Sequence, residues 1–165
     1  MKRMLERACD MLARAVRCVV IALAVVMLAS LALQVVMRYV FGQAQSWTEE
    51  LAVTCFSWSM LLAIAAGVRE GIHVRMDLLV DLLPAVLQRG LDKLVLLAIA
   101  GTGAFLAWSG VAYAREAGDM TSAAIGYSLA WLYACAPVCG ALIAVFAIER
   151  LVLGPRPPAP AASTS

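Results

Sequence analysis

The chain has 165 residues, 64% of them hydrophobic, and a mean hydropathy of +0.89. The four membrane helices predicted in the next paragraph, with their short connections, use nearly all of this length. That leaves no room for a separate soluble domain. The 13 basic and 11 acidic residues give a net charge of +2, a balance that does not point to a nucleic-acid partner.

Every charged residue lies outside four apolar stretches, which are residues 18–37, 51–68, 94–114 and 120–148. A helix of about 20 apolar residues crosses the hydrocarbon core of a bilayer. We therefore predict an all-α integral membrane protein with four transmembrane helices in residues 1–153, the last covering about 125–148. No span holds an Asp, Glu, Lys, Arg or His side chain, whereas ion pumps and proton-coupled carriers usually keep one there.

Basic residues are distributed unequally between the two sides of the predicted spans. Eleven precede span one, separate spans two and three, or follow span four, while only Arg38 and Arg115 lie on the other side. This bias predicts that both termini are cytoplasmic. Aromatic residues near the outer ends agree with this orientation: Tyr39, Trp47, Tyr113 and Tyr127.

The segment between spans two and three has one polar and one apolar face at helical spacing. The polar face carries Glu70, His73, Asp77, Asp81, Gln88 and Asp92. We predict an amphipathic helix at about 73–83, lying in the cytoplasmic membrane interface or packing on the bundle as a loop helix. Pro84 should kink or restart it. The proline-rich tail of residues 154–165 is predicted to be disordered.

A capping box precedes the second apolar stretch, because Ser46 and Glu49 have the Ser-x-x-Glu spacing. We expect these residues to begin span two. Glu50 is not needed for that cap, and Arg38 is the only base near it on the outer side. We therefore predict an Arg38–Glu50 ion pair that joins spans one and two. A catalytic carboxylate pair is disfavoured, since adjacent helical residues point about 100° apart.

Small residues recur at four-residue spacing in the last two spans. Span four carries Ala136, Gly140 and Ala144, and span three carries Gly103 and Ala107. Such spacing lets helix backbones approach closely in lipid, either within this chain or against another.

Three single residues stand out within or beside the spans. Gln34 is the only amide in a span and needs a hydrogen-bond partner there. Pro137 predicts a weakened or bent helix in span four. His73 is the sole histidine, and one imidazole cannot supply both axial ligands of a membrane b-type haem. We expect His73 to make a structural hydrogen bond.

The five cysteines lack the spacing of a metal site. Cys135 and Cys139 lie one helical turn apart, and we expect them to be reduced packing residues. The sequence predicts no catalytic, substrate-binding or metal-ligating residue and no cofactor.

A series of short motifs runs through the first half of the chain. They are Arg38-Tyr39-Val40-Phe41, Trp47-Thr48-Glu49-Glu50-Leu51, Trp58, Arg69-Glu70, His73-Val74-Arg75-Met76-Asp77-Leu78-Leu79 and Leu83-Pro84. Their order and spacing resemble the DctQ-like family, the small membrane subunit of tripartite ATP-independent periplasmic (TRAP) transporters. Trp131 and Pro137 also resemble the family's last helix. Gln34 and Ala63 depart from the family pattern, in which Asn and Gly are more common.

The resemblance implies a system that imports organic acids across the bacterial inner membrane, driven by a sodium gradient. A periplasmic substrate-binding protein captures the substrate, and a large multispanning permease subunit moves it as an elevator. The small subunit would support that permease as a fixed scaffold, in contact with membrane lipid. The outer segment from Arg38 to Glu50 would touch the large subunit or the binding protein. The amphipathic segment would lie along the cytoplasmic membrane surface.

The structural or subunit-interface candidates share a position in these motifs, at a span end or in a helix contact. They are Gln34, Arg38, Tyr39, Trp47, Glu49, Glu50, Trp58, Arg69, His73, Asp77, Pro84, Trp131 and Gly140.

Three rival functions fit four short spans less well. A small multidrug exporter needs an acidic residue within a span, and this chain has none there. A membrane anchor of a redox enzyme, the main alternative, would need paired histidines in its spans. A membrane assembly factor without a transport role is distinguished only by its partners.

Overall fold

The computed structural model describes residues 2–43, 45–70 and 85–154. Within these ranges four helical segments are long and apolar enough to cross a membrane. The expected all-α, four-span architecture is therefore confirmed. The predicted interfacial helix at 73–83 and the tail after Gly154 lie outside the described residues.

Helix α1 spans Lys2–Val40. Its N-terminal end therefore lies well before residue 18, where the predicted span begins. No Gly or Pro occurs between these bounds, so nothing in the sequence interrupts the helix. It ends where Gly42 adopts a left-handed φ of +66° and the Gln43 N–H donates to the Met37 carbonyl at 3.0 Å.

Helix α2 spans Ser46–Glu70 and helix α3 spans Ala85–Glu116. The hydrogen bonds at the start of α2 differ from the predicted capping box. Thr48 Oγ1 donates to the Gln45 carbonyl at 2.7 Å. Ser46 is already helical, so it is not the cap, and the described residues show no reciprocal bonds between Ser46 and Glu49.

A hairpin joins α3 to the last span. After a 3-10 turn at Ala117–Asp119, Thr121 pairs with Ser128 and the Leu129 N–H donates to the Met120 carbonyl at 2.9 Å. Gly126 makes the turn with a φ of +73°, which suits glycine. Because these residues bond across the hairpin, the last span begins at residue 130 and not at about 125.

The last span consists of two helices, α4 at Ala130–Tyr133 and α5 at Cys135–Leu153. Pro137 explains the interruption, since it has no N–H to donate to the carbonyl four residues earlier, at Tyr133. The predicted weakening of this helix is confirmed.

The helices pack in the order α1–α2–α5–α3. No comparable packing joins α1 to α3 in the described part of the chain, so these two helices form the edges of the assembly. The N-terminus of α1 and the C-termini of α2 and α5 lie at one end, called here the terminal end. The opposite end, which contains residues 117–129, is called the hairpin end.

The buried core lies towards the terminal end. One cluster brings together side chains from α1, α2 and α5, with α3 packing against it: Ala13, Ala65, Val68, Ile143, Phe146 and Ala147. Phe146 is fully buried. Close van der Waals packing of these side chains holds three of the four spans together at this end.

Glycines let α3 and α5 cross with their backbones in contact. A methyl group on Gly103 would lie 2.8 Å from the Ala144 nitrogen, and one on Gly140 would lie 2.7 Å from the Gly103 carbonyl oxygen. On Gly110 it would lie 2.8 Å from the Pro137 ring. The small-residue spacing therefore serves packing within this chain.

Candidate functional site

The most connected polar group of the described structure is Arg69, whose side chain is only 8% exposed. Its Nε and Nη2 atoms donate to the two carboxylate oxygens of Glu149 at 3.0 and 3.2 Å. Nη2 also donates to Asp10 Oδ1 at 2.6 Å. Because these residues belong to α2, α5 and α1, a single guanidinium joins three helices at the terminal end.

Further contacts surround this network. The Arg69 guanidinium lies 5.6 Å from the centre of the Phe146 ring, within the range of a cation–π interaction. Arg150 Nη1 donates to the Val68 carbonyl at 3.0 Å. Arg17 forms an ion pair with Glu70 at the adjacent α1–α2 contact.

The network is suited to positioning helices. Both oxygens of Glu149 already accept from Arg69, and Glu149 is 3% exposed. Planar bidentate pairing fixes orientation as well as distance. Breaking such a buried pair leaves one charge without compensation, which penalises any other helix arrangement.

At the hairpin end, Glu50 accepts hydrogen bonds from the hairpin. The Ser122 hydroxyl donates to Glu50 Oε2, and the Ala124 N–H donates to Oε1 at 3.2 Å. The predicted ion pair with Arg38 is wrong. Glu50 lies on the side of α2 that faces the hairpin, while the Arg38 side chain is exposed and absent from the described ion pairs.

Three more hydrogen bonds hold the hairpin half of the molecule. Thr54 Oγ1 and the Tyr127 hydroxyl lie 2.9 Å apart, and Trp58 Nε1 donates to the Trp131 carbonyl at 3.1 Å. Between α1 and α2, the buried Ser30 hydroxyl donates to the Thr48 carbonyl at 2.7 Å. Helix α2 is thus bonded to both of its neighbours.

The other candidate residues lie on the surface, are half-buried, or lie in the contact between α3 and α5, called here the α3–α5 seam. Arg38, Tyr39, Trp47, Glu49 and Trp131 are exposed, Gln34 is half-buried, and Gly140 lies in the α3–α5 seam. His73, Asp77 and Pro84 lie outside the described residues.

An apolar groove of about 370 Å³ opens between α2 and α3 towards the hairpin end. Phe56 and Met60 form one wall, Tyr113 forms the other, and Cys135 and Ala136 form the floor. Tyr113 and Tyr133 meet edge to face at 4.8 Å. The groove offers hydrocarbon and aromatic surface and has no charged side chain in its lining.

Among the described residues, no three His, Cys, Asp or Glu side chains lie close enough together to hold a metal ion. The five cysteines are not in disulfides, and all but Cys18 are buried.

Comparison with known proteins connects these features to a family. The sequence profile described as "Tripartite ATP-independent periplasmic transporters, DctQ component" matches residues 27–156, which include α2, α3 and α5 entirely. The chain belongs to the DctQ family. A DctQ protein is a transporter component and not an enzyme, and the resemblance of the motifs between Arg38 and Pro84 is confirmed.

Two curated proteins are similar to this DctQ chain. One is the sialic acid TRAP transporter permease protein SiaT of Haemophilus influenzae, 29% identical over 110 residues, or 67% of this chain and 18% of the relative. The other is the C4-dicarboxylate TRAP transporter small permease protein DctQ of Vibrio cholerae, 34% identical over 55 residues, or 33% of this chain and 24% of the relative. The matches therefore cover under a quarter of each relative.

The structure adds polar residues that the sequence pattern did not indicate. Asp10 and Glu149 complete the Arg69 network, and Ser122 binds Glu50. One indication for Glu149 was present, since it is the first charged residue after the last apolar stretch and shares its side of the membrane with Arg69.

Proposed function

We propose that this DctQ protein is the small scaffold subunit of a sodium-driven, binding-protein-dependent secondary transporter that imports organic acids. It would support a large elevator-type permease subunit in the bacterial inner membrane. The family match over residues 27–156 supports the transporter assignment. The names of the two relatives, a sialic acid permease and a C4-dicarboxylate small permease, support the substrate class.

The observation that carries the scaffold role is where the charges lie and what they bond. Arg69, Glu149 and Asp10 are at the terminal end and hold helices to one another. Glu50, at the hairpin end, holds the hairpin. A carrier needs groups that bind an ion or substrate near the middle of the membrane and change partners during transport. Here the buried charges support a rigid arrangement.

The distribution of basic residues supports an orientation with the terminal end in the cytoplasm and the hairpin end in the periplasm. In that orientation the exposed Arg38, Tyr39 and Glu49 face the side from which a binding protein delivers substrate. The large subunit would contact the spans from within the membrane. Lipid would cover the remaining apolar surface.

Affinity purification of the tagged chain from its native membranes in mild detergent tests the assembly. We expect a large multispanning permease to co-purify at near-equal stoichiometry. Soluble redox subunits in its place, together with Soret absorbance, would instead indicate the redox-anchor alternative.

Reconstitution tests the division of labour. Liposomes that contain this chain alone should show no sodium-driven organic-acid uptake, and uptake should require the large permease and the binding protein as well. Uptake by the chain alone would disprove the scaffold role.

A further inference from the structure

We propose that the α3 edge, the face of α3 that carries Phe105 and Trp108, is the surface on which this chain binds the large permease subunit. The proposal rests on the proposed function, since it names where the partner of that function docks. It starts from a hydrogen-bond donor that the described structure leaves without an acceptor.

The indole N–H groups of the tryptophans differ in how they are satisfied. Trp47 Nε1 donates to Gln45 Oε1, and Trp58 Nε1 donates to the Trp131 carbonyl, both at 3.1 Å. Among the described residues the Trp131 indole has no acceptor, but Trp131 borders a surface pocket together with Arg115 and Ser128 at the polar hairpin end. Interfacial water and lipid headgroups provide acceptors there.

Trp108 is in a different position. The residue is 75% exposed, and its indole nitrogen has no hydrogen-bond partner in the described part of the chain. It precedes Arg115 by one heptad, which places it roughly 10 Å deeper along the helix axis. At that depth lipid tails surround the helix, and they offer no acceptor for the N–H.

A protein partner resolves this unsatisfied donor. A backbone carbonyl exposed by a broken helix, or a polar side chain, can accept from the indole while apolar groups cover its ring. Phe105 lies next to Trp108, with ring centres 6.4 Å apart, and extends the aromatic surface. Exposed aromatic side chains of this kind are enriched at the centre of protein interfaces and contribute strongly to their affinity.

The opposite edge of the assembly has a different character. Helix α1 exposes aliphatic side chains such as Val25, Leu28 and Val35, which require nothing from lipid tails. Its Ser30 hydroxyl is satisfied internally by Thr48. Gln34 is half-buried and one turn from Arg38, so its amide lies close to interfacial water. The α1 edge is therefore suited to lipid.

A second copy of this chain is a poorer occupant of the α3 edge. A two-fold pair about the membrane normal would place Trp108 against its own copy and against residues such as Phe105 and Ala112, whose side chains accept no hydrogen bond. The large permease fits better. The similar sialic acid TRAP transporter permease protein is a longer polypeptide, of which the part matched by this chain is 18%. A permease that differs in sequence from this chain can present an acceptor that the α3 edge of a second copy lacks.

Site-specific photo-crosslinking in the whole complex tests this inference. Benzoylphenylalanine replaces either Trp108 on the α3 edge or Val25, which is 60% exposed on the α1 edge. We expect position 108 to crosslink to the large permease and position 25 to crosslink to no protein. Crosslinks at position 108 only to lipid or to a second copy of this chain, while the permease still co-purifies, would overturn the proposal.

A pair of conservative variants tests the hydrogen bond itself. Trp108→Phe removes the N–H but keeps an aromatic ring, and we expect it to lower the apparent affinity for the permease about fivefold, the effect of one net hydrogen bond. Val25→Ala on the lipid-facing α1 edge is the control and should leave the affinity unchanged. Unchanged affinity in Trp108→Phe would contradict the proposed acceptor. If the unsubstituted chain binds no permease at all, the proposed function fails as well.

Discussion

Glu149 accepts two hydrogen bonds from Arg69, at 3.0 and 3.2 Å, although 80 residues separate them in the chain. Both side chains are almost fully buried. The pair joins the last turns of α2 and α5, and Asp10 extends it to α1. This contact determines how three helices meet at the terminal end, so its removal should have consequences far larger than those of a surface ion pair.

We predict that Arg69→Ala destabilises the purified chain by about 3–5 kcal/mol, because it leaves the buried Glu149 carboxylate without its compensating charge. Glu149→Ala should cost less, since Asp10 still pairs with Arg69. The double variant Arg69→Met with Glu149→Leu should recover much of that loss. Arg17→Ala is the control, since its pair with Glu70 is exposed and should contribute under about 1 kcal/mol. Unfolding in detergent, followed by tryptophan fluorescence, measures these effects. Equal losses for Arg17 and Arg69 would contradict the prediction.

The seam between α3 and α5 yields a second prediction. Gly140→Ala places a methyl group against the Gly103 carbonyl, so we expect it to force the helices apart and cost about 1–3 kcal/mol. Gly101→Ala is the matched control on α3, because open space surrounds that position. The melting temperature of the isolated chain in detergent should fall for the first variant, and it should not fall for the second, since alanine favours a helix over glycine. Similar behaviour of both would argue against a tight seam.

The hairpin should depend on Glu50 and not on its neighbour Glu49. Glu50→Ala removes the acceptor for Ser122 and Ala124, so proteolytic cleavage within residues 120–129 should become faster. Glu49→Ala is the control, since the exposed Glu49 side chain makes no described hydrogen bond. Equal cleavage rates in both variants would show that Glu50 does not hold the hairpin.

Double-mutant cycles distinguish the observed partner of Glu50 from the one that the sequence predicted. The Glu50–Ser122 cycle should be non-additive by about 0.5–3 kcal/mol, because the two side chains are in contact. The Arg38–Glu50 cycle should be additive. The thermal stability of the four proteins in each cycle provides the measurement. Additivity for Glu50–Ser122 together with non-additivity for Arg38–Glu50 would instead support the Arg38–Glu50 ion pair.

The orientation predicted from the basic residues can be tested by labelling. In a Cys18→Ala background the other native cysteines are buried. An impermeant maleimide added to intact spheroplasts should label Asp119→Cys at the hairpin end and leave Met4→Cys unlabelled. Permeabilised cells should show labelling at both positions. Labelling of Met4→Cys in intact spheroplasts would show that the terminal end lies outside the cytoplasm, opposite to the predicted orientation.

Several features were predictable because they depend on local or one-dimensional properties of the sequence. Charge-free stretches long enough to span a bilayer identify four helices without knowledge of their neighbours. Pro137 predicts the interruption at Ala134, between Tyr133 and Cys135, because a missing N–H acts within one helical turn. The motifs between Arg38 and Pro84 indicate the family in the same way, through order and spacing alone.

Other features required the tertiary structure. The partner of Glu50 depends on how the hairpin folds back onto α2, and Arg38 was merely the nearest base on the expected side. The last span begins at Ala130 and not at the predicted residue of about 125, because residues 120–129 bond across a hairpin. Apolar composition does not reveal this pairing.

By itself, then, the sequence determined the class of the protein, its four spans, its family and a basic bias that predicts its orientation. Each of these follows from hydrophobicity, charge or motif spacing along the chain. Only the tertiary structure decided that Arg69 pairs with Glu149, that Gly103 meets Gly140 within the same chain, and that Trp108 finds no acceptor in the part of the chain that the structure describes. These facts depend on which helix faces become neighbours, and that choice is made by packing among residues far apart in sequence.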